Sequence, residues 1–511
     1  MRSPCFRFLC LALAAPTGLA ASGASAEETG FRPIFDGKTL NGWEAPAMIH
    51  WSVEDGAITG RTTPENPLKA HQYLVWTLGE VDDFELRLQY RVSQTPAANS
   101  GIQFRSEIDE DGQAIGYQAD IDAEGAYTGA LYEVGGRTFL AKRGQKTAIS
   151  PKGERTESSI GDPAALWANV KKDGWNEYRV TAKGNRIILE INGKVTADVA
   201  DDEEGKAKRS GKLALQIHAG PPQTVQFKDI RLKRLPMEGK KKIVLVAGPR
   251  SHGYAAHEHN AGCLLLAKLL NENLPGIHAA VYLHGWPEDP TAFDHADAIA
   301  IYSDGAEAHI LKPSGFPEFD ALMKKGVGLA VLHYALIPPE KEQGAYMLDW
   351  IGGYYETFWS VNPFWTADFK ELPRHPITRG VKPFTINDEW YYHMRFREDL
   401  KGVTPILTAT PPDETRKGPD GAHSGNPRVR ERMRMPEHVA WAYERPDGGR
   451  GFGFTGAHVH WNWAHDDFRK LMLNALAWIA KADAPPNGVP SKTPTREELE
   501  SNQDYLKPSE E

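Results

Sequence analysis

Six histidines in the second half of the chain follow three separate apolar runs. The runs 243–247, 327–332 and 451–455 are followed, in that order, by His252, His257 and His259, by His333, and by His458 and His460. Parallel strands end at one edge of a sheet, so we expect these imidazoles to gather around one pocket. Imidazole titrates near neutrality and binds metals through a neutral ring nitrogen. The pattern fits either acid–base catalysis or a site of about three metal ligands plus water.

Within this set we predict catalytic roles for His333 and His252. We predict that a divalent metal would be held by His257, His259, His458 and His460, although no H-E-x-x-H spacing supports a zinc site. The residues predicted to contact substrate here are Asp304, Glu356, Asp388 and Trp461. A single histidine after a strand is more often a core residue than a ligand. The prediction of a site therefore depends on the fact that six histidines follow three separate segments.

The elements that must position these side chains alternate between strands and helices. Residues 243–247 form a continuous, β-branched apolar run, as in a strand buried on both faces. Further strands are predicted at 278–283, 298–302 and 327–332, and helices at 317–325 and 467–481, which together favour a parallel α/β domain. Residues 439–455 are predicted to form a hairpin. If its second strand were the antiparallel one, His458 would lie at the wrong edge.

The first half of the chain is typical of an antiparallel β-sandwich. Residues 84–92 alternate apolar and polar side chains over nine positions, and residues 175–182 and 186–191 do the same. Asn192-Gly193 predicts a hairpin turn into the next strand. More strands are expected at 212–218 and 225–232. Residues 411–436, rich in Arg, Pro and Gly, show no clear element and are expected to be a lid or an exposed insertion.

Polar residues in this half lie where an inward sheet face or a turn is expected. They suit either a buried hydrogen-bond network or a sugar site, since sugars need many donors and acceptors. The predicted substrate-binding residues are Gln103, Arg105, Tyr117, Gln118, Asp120, Tyr132 and Gln216, and the predicted catalytic ones are Glu133 and His218. We expect one concave face to carry Gln103, Arg105, Gln118, Asp120, Glu133, Gln216 and His218.

The 511 residues are too many for one core, and the net charge of −9 is spread along the chain without a basic patch, so nothing indicates a nucleic-acid partner. Residues 1–26 have the three parts of a secretory signal ending in Ala24-Ser25-Ala26, which predicts a periplasmic or secreted protein. Its apolar part is too short for a membrane span. Only Cys263 lies after it, on the apolar face of a predicted helix, as a core thiol.

We predict five segments. They are the signal (1–26), the sandwich domain (27–236), a linker (237–241), the α/β domain (242–484) and a Pro-, Ser-, Glu- and Lys-rich tail (485–511) that wraps the surface or stays disordered.

The motifs FDGKTLNGW, NSGIQFR, GYQADI, LYE, GWNEYRV, INGK and LQIHAGPP occur in the first half in this order. Through them this half resembles the 3-keto-disaccharide hydrolase family. The resemblance implies a concanavalin-A-like jelly roll that hydrolyses glycosides whose C3 hydroxyl has become a ketone. The family's usual LYDE stands as LYEV here, which leaves one acid, Glu133.

The second half carries KKIVLVAGPRSHG, GVGLAVLHYA, IGGYYETFWSVNP, HPITRGVKPFTINDEWYY and GRGFGFTGAHVHWNW. It resembles the ThuA-like trehalose utilization family, which implies a flavodoxin-like fold related to class I glutamine amidotransferases and a link to disaccharide breakdown. Those amidotransferases carry a nucleophilic cysteine on the turn after a central strand. Here that turn carries His333, which excludes thiol amidotransfer.

These observations lead to three functional hypotheses. The first is an exported enzyme that cleaves the glycosidic bond of 3-keto-glycosides by hydrolysis, or by elimination and hydration started by a His or Glu base. The second is a lectin-like first half joined to a hydrolytic second half. The third is that both halves bind sugar without cleaving it. In each case the partner is a carbohydrate, an oxidised glycoside in the first.

Overall fold

The computed structural model describes residues 29–93, 95, 97–172 and 174–508, so the predicted signal at 1–26 lies outside the described residues. No helix in this part of the chain is long and apolar enough to cross a bilayer.

The first domain is built from two β-sheets packed face to face. Its strands are β1 (Arg32–Pro33), β2 (Trp43–Glu44), β3 (Trp51–Glu54), β4 (Ala57–Arg61), β5 (Gln72–Trp76), β6 (Phe84–Val92), β7 (Asn99–Ile108), β8 (Ala114–Asp122), β9 (Leu131–Val134), β10 (Thr138–Ala141), β11 (Gln145–Ile149), β12 (Arg155–Ser159), β13 (Asn176–Lys183), β14 (Arg186–Ile191), β15 (Lys194–Asp201), β16 (Lys212–Ile217) and β17 (Thr224–Arg234), with one helix, α1 (Pro163–Ala168). One sheet runs β12-β11-β15-β14-β13-β6-β17-β4-β3, with β1 beside β17, and the other runs β10-β9-β8-β7-β16-β5-β2.

Alternation explains this sandwich. Every second residue of β6, including Leu86, Leu88 and Tyr90, is buried in one core with residues of the facing sheet such as Ile102. Asn192 and Gly193 join β14 to β15 with φ of 48° and 75°. These positive values are what the primed turn of a tight hairpin requires. The predicted β-sandwich is confirmed.

The second domain has a seven-stranded central sheet. Its elements are β18 (Lys241–Ala247), α2 (His259–Asn273), β19 (Ile277–Tyr282), β20 (Ala298–Tyr302), α3 (Phe316–Met323), β21 (Gly328–Leu332), α4 (Gly344–Ile351), β22 (Gly353–Tyr354), β23 (Trp365–Phe369), β24 (Phe384–Asp388), β25 (Arg395–Phe396), β26 (Val403–Ala409), α5 (Pro427–Arg430), β27 (Glu437–Glu444), β28 (Arg450–Phe454), α6 (Asp466–Ile479) and α7 (Arg496–Glu500). The strand order is β19-β18-β20-β21-β28-β27-β26. Two small sheets, β22-β25 and β23-β24, lie beside it.

This central sheet is mixed, which corrects the expectation of a parallel one. Strands β19, β18, β20, β21 and β28 are parallel, whereas β27 pairs antiparallel with β28 and β26 pairs antiparallel with β27. The turn between β27 and β28 is too short for the crossover that parallel neighbours need. Because β28 is the hairpin strand that joins the parallel set, the residues after it lie at the same edge as those after β18 and β21. The more specific flavodoxin-like class stays a prediction.

Helices cover both faces of the sheet. Ile243 and Leu245 of β18 pack into a core with α2 and α6, and the alternate residues Val244 and Val246 pack on the opposite side with α3 and α4. Cys263 of α2 lies in the first of these cores, and burial raises the pKa of its thiol. A thiol held neutral in this way has a packing role.

Buried charges join the two domains. Arg234, the last residue of β17, pairs with Asp82 at 3.3 Å in its own domain and with Asp289 at 3.0 Å across the interface. Lys242 of β18 and His278 of β19 approach the other oxygen of Asp82 at 3.6 and 3.5 Å. These side chains are almost fully buried, apart from the partly buried His278, so each charge depends on its partners for solvation.

We predict that Asp82→Asn lowers the apparent free energy of unfolding by about 3–5 kcal/mol, because Arg234 and Lys242 would be left buried with too little negative charge. Urea denaturation would measure the change. Glu54→Gln is the matched control, since the Glu54–Arg61 pair lies on the surface and should contribute less than about 1 kcal/mol. Equal effects of the two substitutions would contradict this view of the interface.

Candidate functional site

Four side chains converge at the carboxyl edge of the central sheet of the second domain. They are His257, His333, His458 and Glu389, and one nitrogen or oxygen atom of each lies within 4.8 Å of the others. The Nε2 atom of His257 is 2.9 Å from Nε2 of His333 and 2.9 Å from Nδ1 of His458. Glu389 Oε2 lies 3.0 Å from Nδ1 of His458 and 3.3 Å from Nε2 of His333.

Each of these residues is placed by the end of a strand. His257 lies in the loop between β18 and α2, His333 directly follows β21, Glu389 directly follows β24, and His458 follows β28. Asp388, the last residue of β24, accepts hydrogen bonds from the backbone N–H groups of Ala457, His458 and Val459. It thereby fixes the two carboxyl ends that carry Glu389 and His458 against each other.

The hydrogen bonds at the far side of two rings determine where their protons lie. His333 Nδ1 is 2.8 Å from the carbonyl oxygen of Thr455. Since a carbonyl can only accept, this nitrogen must carry the proton and donate. His257 Nδ1 likewise donates to Asp304 at 3.0 Å. In the neutral rings both Nε2 atoms therefore present lone pairs to each other at 2.9 Å. Such an arrangement is repulsive unless a proton or a metal ion lies between them.

The pKa values of His257 and Glu389 also favour a bound cation. Burial and the neighbouring imidazoles of His333 and His252 lower the pKa of His257 far below its usual value. Burial alone would raise the pKa of Glu389, but contacts with His333 and His458 outweigh burial and hold it at about 2. The centre thus combines a His257 that resists protonation with an ionised Glu389, the states in which these two groups bind metal.

The spacing suits a transition metal. Bonds of about 2.0–2.1 Å to ligands in tetrahedral array would separate the ligand atoms by about 3.3 Å, close to the distances seen here. Three nitrogens and one oxygen favour zinc and its first-row neighbours over calcium or magnesium. The Asp304 and Thr455 contacts are the outer-sphere partners that orient metal-binding histidines. His458 and Glu389 are each 14% exposed, so one side of the centre is open to solvent.

A second polar cluster lies in the first domain, on the face of the seven-stranded sheet that is turned away from the sandwich core. Gln103 of β7 is opposite Gln118 of β8, Gln118 is opposite Tyr132 of β9, and Gln216 of β16 is opposite Tyr73 of β5. Asp120 is two residues after Gln118 and shares its face. Gln103 donates to Gln118 at 2.6 Å, Gln118 donates to Asp120, and Gln216 donates to Tyr73 at 3.0 Å.

Residues 30–233 match the family described as a 3-keto-alpha-glucoside-1,2-lyase-like domain, and residues 244–479 match the trehalose utilisation family, ThuA. Each family model thus matches one of the two domains. Both families are related to carbohydrates.

No curated protein matches the sequence. Similar solved structures include the carbohydrate-binding module CBM66 from Bacillus subtilis, at 14% identity and a TM-score of 0.27 over 38% of this chain and 95% of that one. A protein described as a glycosyl hydrolase from Parabacteroides distasonis is 19% identical, with a TM-score of 0.27 over 40% of this chain and 99% of that one. A protein described as ThuA-like from Bacteroides uniformis is 14% identical, with a TM-score of 0.34 over 47% of this chain and 91% of that one.

In the ThuA domain, three of the six histidines expected at this edge form the cluster together with Glu389. The ring of His252 lies 3.6 Å from that of His257 on the solvent side, and 42% of its side chain is exposed. Asp304 lies close to both of these rings. The sequence does not predict Glu389, because it does not show how β23 and β24 pack against the main sheet. It predicts the neighbouring Asp388 instead.

Two predicted metal ligands are not in the cluster. His259 lies outside it, since its Nδ1 atom faces the carbonyl of Pro249 and its Nε2 atom is 3.8 Å from Asp304. His460 is excluded because its Nε2 donates to the carbonyl of Leu499. The helical turn that starts at His460 rotates this ring away from the edge.

Two predicted substrate contacts in the ThuA domain have other partners. Glu356 pairs with Arg395, and Trp461 is covered by Arg496, whose guanidinium lies 3.5 Å from the ring centroid. Neither side chain is shown to face the cluster.

The mouth of the cluster is aromatic. Phe364, 52% exposed, has its ring 4.8 Å from that of His458, and Tyr334 lies 5.9 Å from His257. Asn362 donates to the second oxygen of Glu389 and its backbone donates to His423, so the 411–436 segment borders this mouth. Part of that segment is ordered as a turn at Asp413–Arg416 and as α5.

The polar face of the lyase-like domain is smaller than predicted. Arg105 lies within a β-bulge and has φ of 47°, which turns its guanidinium to Asp83 and to the carbonyl of Asp82. Tyr117 and Glu133 are opposite each other in register and face the other side, where Tyr117 donates to Asp201 and Glu133 pairs with Arg137. The expectation of one shared face was therefore wrong for Arg105 and Glu133.

His218 lies at the end of β16 rather than within the face. Its ring is 4.0 Å from that of His71, and its Nδ1 donates to the carbonyl of Ala219. Asp120 is the residue of the face whose protonation is most altered, because burial raises its pKa to about 7, with the nearby charge of Asp122 adding to the effect.

We predict that the wild-type protein binds one divalent transition-metal ion per chain and that Glu389→Gln and His458→Ala each weaken this binding at least about 10-fold. The reason is that each substitution removes one of four converging ligand atoms. Titration with Co²⁺, followed by its visible absorption, would measure the dissociation constant. His438→Asn, at a half-buried histidine bonded to Thr408, is the control and should leave it unchanged. A wild-type chain that binds no metal would contradict the assignment.

We also predict a pH dependence of stability from Asp120. Its pKa of about 7 in the folded state is higher than the usual value for Asp, so the folded state holds the proton more tightly. Relative to Asp120→Asn, the wild type should therefore lose about 2–4 kcal/mol as pH rises from about 4 to about 7. Urea denaturation at several pH values would measure it, and parallel curves for the two proteins would show that Asp120 titrates normally.

Proposed function

We propose that the protein is an enzyme that cleaves the glycosidic bond of 3-keto-glycosides and that the His–Glu cluster of the ThuA domain is a metal centre acting on the keto sugar. The observation that carries the proposal is that the Nε2 atoms of His257 and His333 lie 2.9 Å apart beside the carboxylate of Glu389, while both outer nitrogens face acceptors. The family of the first domain, described by its 1,2-lyase activity on 3-keto-alpha-glucosides, supplies the substrate class.

The chemistry begins with the acidity that a C3 ketone gives to the hydrogen on C2. A divalent ion in the cluster would bind the ketone oxygen and increase that acidity. His252, exposed at the mouth and beside His257, is placed to take the C2 proton. The C–H electrons then form the C1–C2 double bond as the C1–O bond breaks, and the aglycone oxygen leaves and takes up a proton. Addition of water across that double bond gives the free 3-keto sugar.

The aromatic mouth fits this substrate class. Phe364 and Phe358 are large apolar side chains with 52% and 69% of their surface exposed. Aromatic faces pack well against the C–H faces of pyranose rings, although they also serve as ordinary packing groups. The position of Phe364 beside His458 gives it a binding role in this proposal.

The second candidate places the cleavage in the lyase-like domain, and Asp120 favours it. A buried carboxyl group with a pKa of about 7 suits proton transfer at neutral pH. Glu133 does not suit this task, because it is held in an ion-pair network with Arg137, Asp201 and Glu203. If neither Asp120 nor Glu133 is needed for turnover, the polar face is a lectin-like binding surface.

We include export in the proposal, with a mature chain that begins near Glu27. N-terminal sequencing of the protein from its producing cells tests this part separately, and an intact Met1 on the purified product would refute it.

We predict that the full-length protein cleaves a 3-keto-glycoside but not its unoxidised parent, and that deuterium at C2 slows turnover. Glu389→Gln should reduce kcat by at least about 100-fold, because it removes a ligand of the ion that would polarise the ketone. Asp120→Asn should raise KM if the face only binds sugar and should lower kcat if that domain cleaves. His438→Asn serves again as the control.

The outcomes separate the candidates. Full activity of Glu389→Gln together with an inactive Asp120→Asn variant would move catalysis to the lyase-like domain. Equal rates on the oxidised and unoxidised substrates would refute the 3-keto specificity.

A further inference from the structure

The loop that carries His257 has an unfavourable backbone. His252, Ala255 and His257 have φ of 59°, 64° and 51°. These values lie in the left-handed region that residues with a Cβ rarely adopt. Each such residue is sterically unfavourable and persists only where its surroundings hold it. The loop therefore needs restraints if it is to keep His257 Nε2 near its partners.

One set of restraints comes from the segment after β28. The backbone N–H of His257 donates to the carbonyl of His458, and the backbone N–H of His460 donates to the carbonyl of Ala255. A bridge between Ala256 and Val459 completes this pairing. The two parts of the cluster furthest apart in sequence are thus joined by main-chain hydrogen bonds.

The second set comes from the end of the chain, outside both matched regions. Gln503 Oε1 accepts from the backbone N–H of Ala255 at 3.2 Å, and Asp504 Oδ1 accepts from the side chain of Asn260 at 2.8 Å. The backbone N–H of Asp504 donates to Glu258 at 2.9 Å, and Glu258 in turn accepts from the backbone N–H of Ala255. These contacts lie on both sides of His257.

The same segment is anchored on the residues that follow His458. Leu499 is 4% exposed, and its carbonyl accepts from His460 Nε2 at 2.9 Å. Arg496 stacks on Trp461 and pairs with Glu500, and Thr495 and Glu498 form a capping box that begins α7. These contacts explain why His460 and Trp461 are not part of the cluster. Their positions after β28 suggested a site, but their side chains face residues 495–504.

We propose that residues 495–504 are a positioning segment of the metal centre, which clamps the 250–258 loop onto residues 458–461 and so holds His257 Nε2 at ligand distance from His333 and His458. The inference rests on the proposed metal centre and extends it to a part of the chain that lies beyond the ThuA match. Its consequence is that metal affinity depends on side chains that touch neither metal nor substrate.

The test compares metal affinity with folding. In the full chain, Gln503→Ala/Asp504→Ala should raise the Co²⁺ dissociation constant about 10- to 100-fold, the range seen when outer-sphere support of a ligand is lost. A chain shortened to end at Pro494 should show at least as large a loss while keeping the Val489–Asn474 and Ser491–Arg469 bonds. A synthetic peptide of residues 495–508, added to the shortened chain, should restore affinity.

Controls keep the outcomes distinct. Lys268→Gln breaks the surface pair with Glu498 from the α2 side and leaves the 495–504 segment and the loop unchanged, so it should leave the dissociation constant within about 2-fold, as expected for a surface pair. Circular dichroism must show the same folded spectrum for every variant that is compared. A folded double variant and a folded shortened chain that bind Co²⁺ as tightly as wild type would overturn the positioning role alone. Failure of the wild type itself to bind would overturn the metal centre and this inference with it.

Discussion

The second domain is arranged around two ring nitrogens that face each other at 2.9 Å with their protons held elsewhere. The carbonyl of Thr455 and the carboxylate of Asp304 fix those protons on the outer nitrogens of His333 and His257. A chain gains nothing in stability from opposing lone pairs, and it also bears the cost of left-handed residues to bring them together. Such costs are concentrated at functional sites, and a cation is the simplest partner that turns this repulsion into binding.

Strand direction is the constraint that makes the cluster possible. β18, β21 and β28 are parallel, so their carboxyl ends deliver His257, His333 and His458 to one edge although these residues are far apart in the sequence. The hairpin of β27 and β28 could have reversed one of them. None of the three is reversed, because β28 is the strand that pairs with β21, and the antiparallel strand β27 lies on the other side of β28.

Much of this could be predicted from the sequence, and the failures have physical causes. Continuous apolar runs identified strands such as Ala298–Tyr302 with their full bounds, and the residues directly after them gave three of the four cluster members. Glu389 follows a strand of a separate two-stranded sheet, whose docking is decided by tertiary packing. Arg105 left its expected face because of a bulge, and His460 left the edge because a turn begins there, features that alternation cannot reveal.

The two carboxyl groups that matter most here are in opposite states at mildly acidic pH, and their surroundings explain why. Glu389 is buried but touches the imidazoles of His333 and His458, so its pKa stays at about 2. Asp120 is buried among amides and close to Asp122, and burial raises its pKa to about 7. An ionised carboxylate can hold a cation, and a protonated one can deliver a proton. The two domains therefore offer different chemistry, and neither polar cluster is a duplicate of the other.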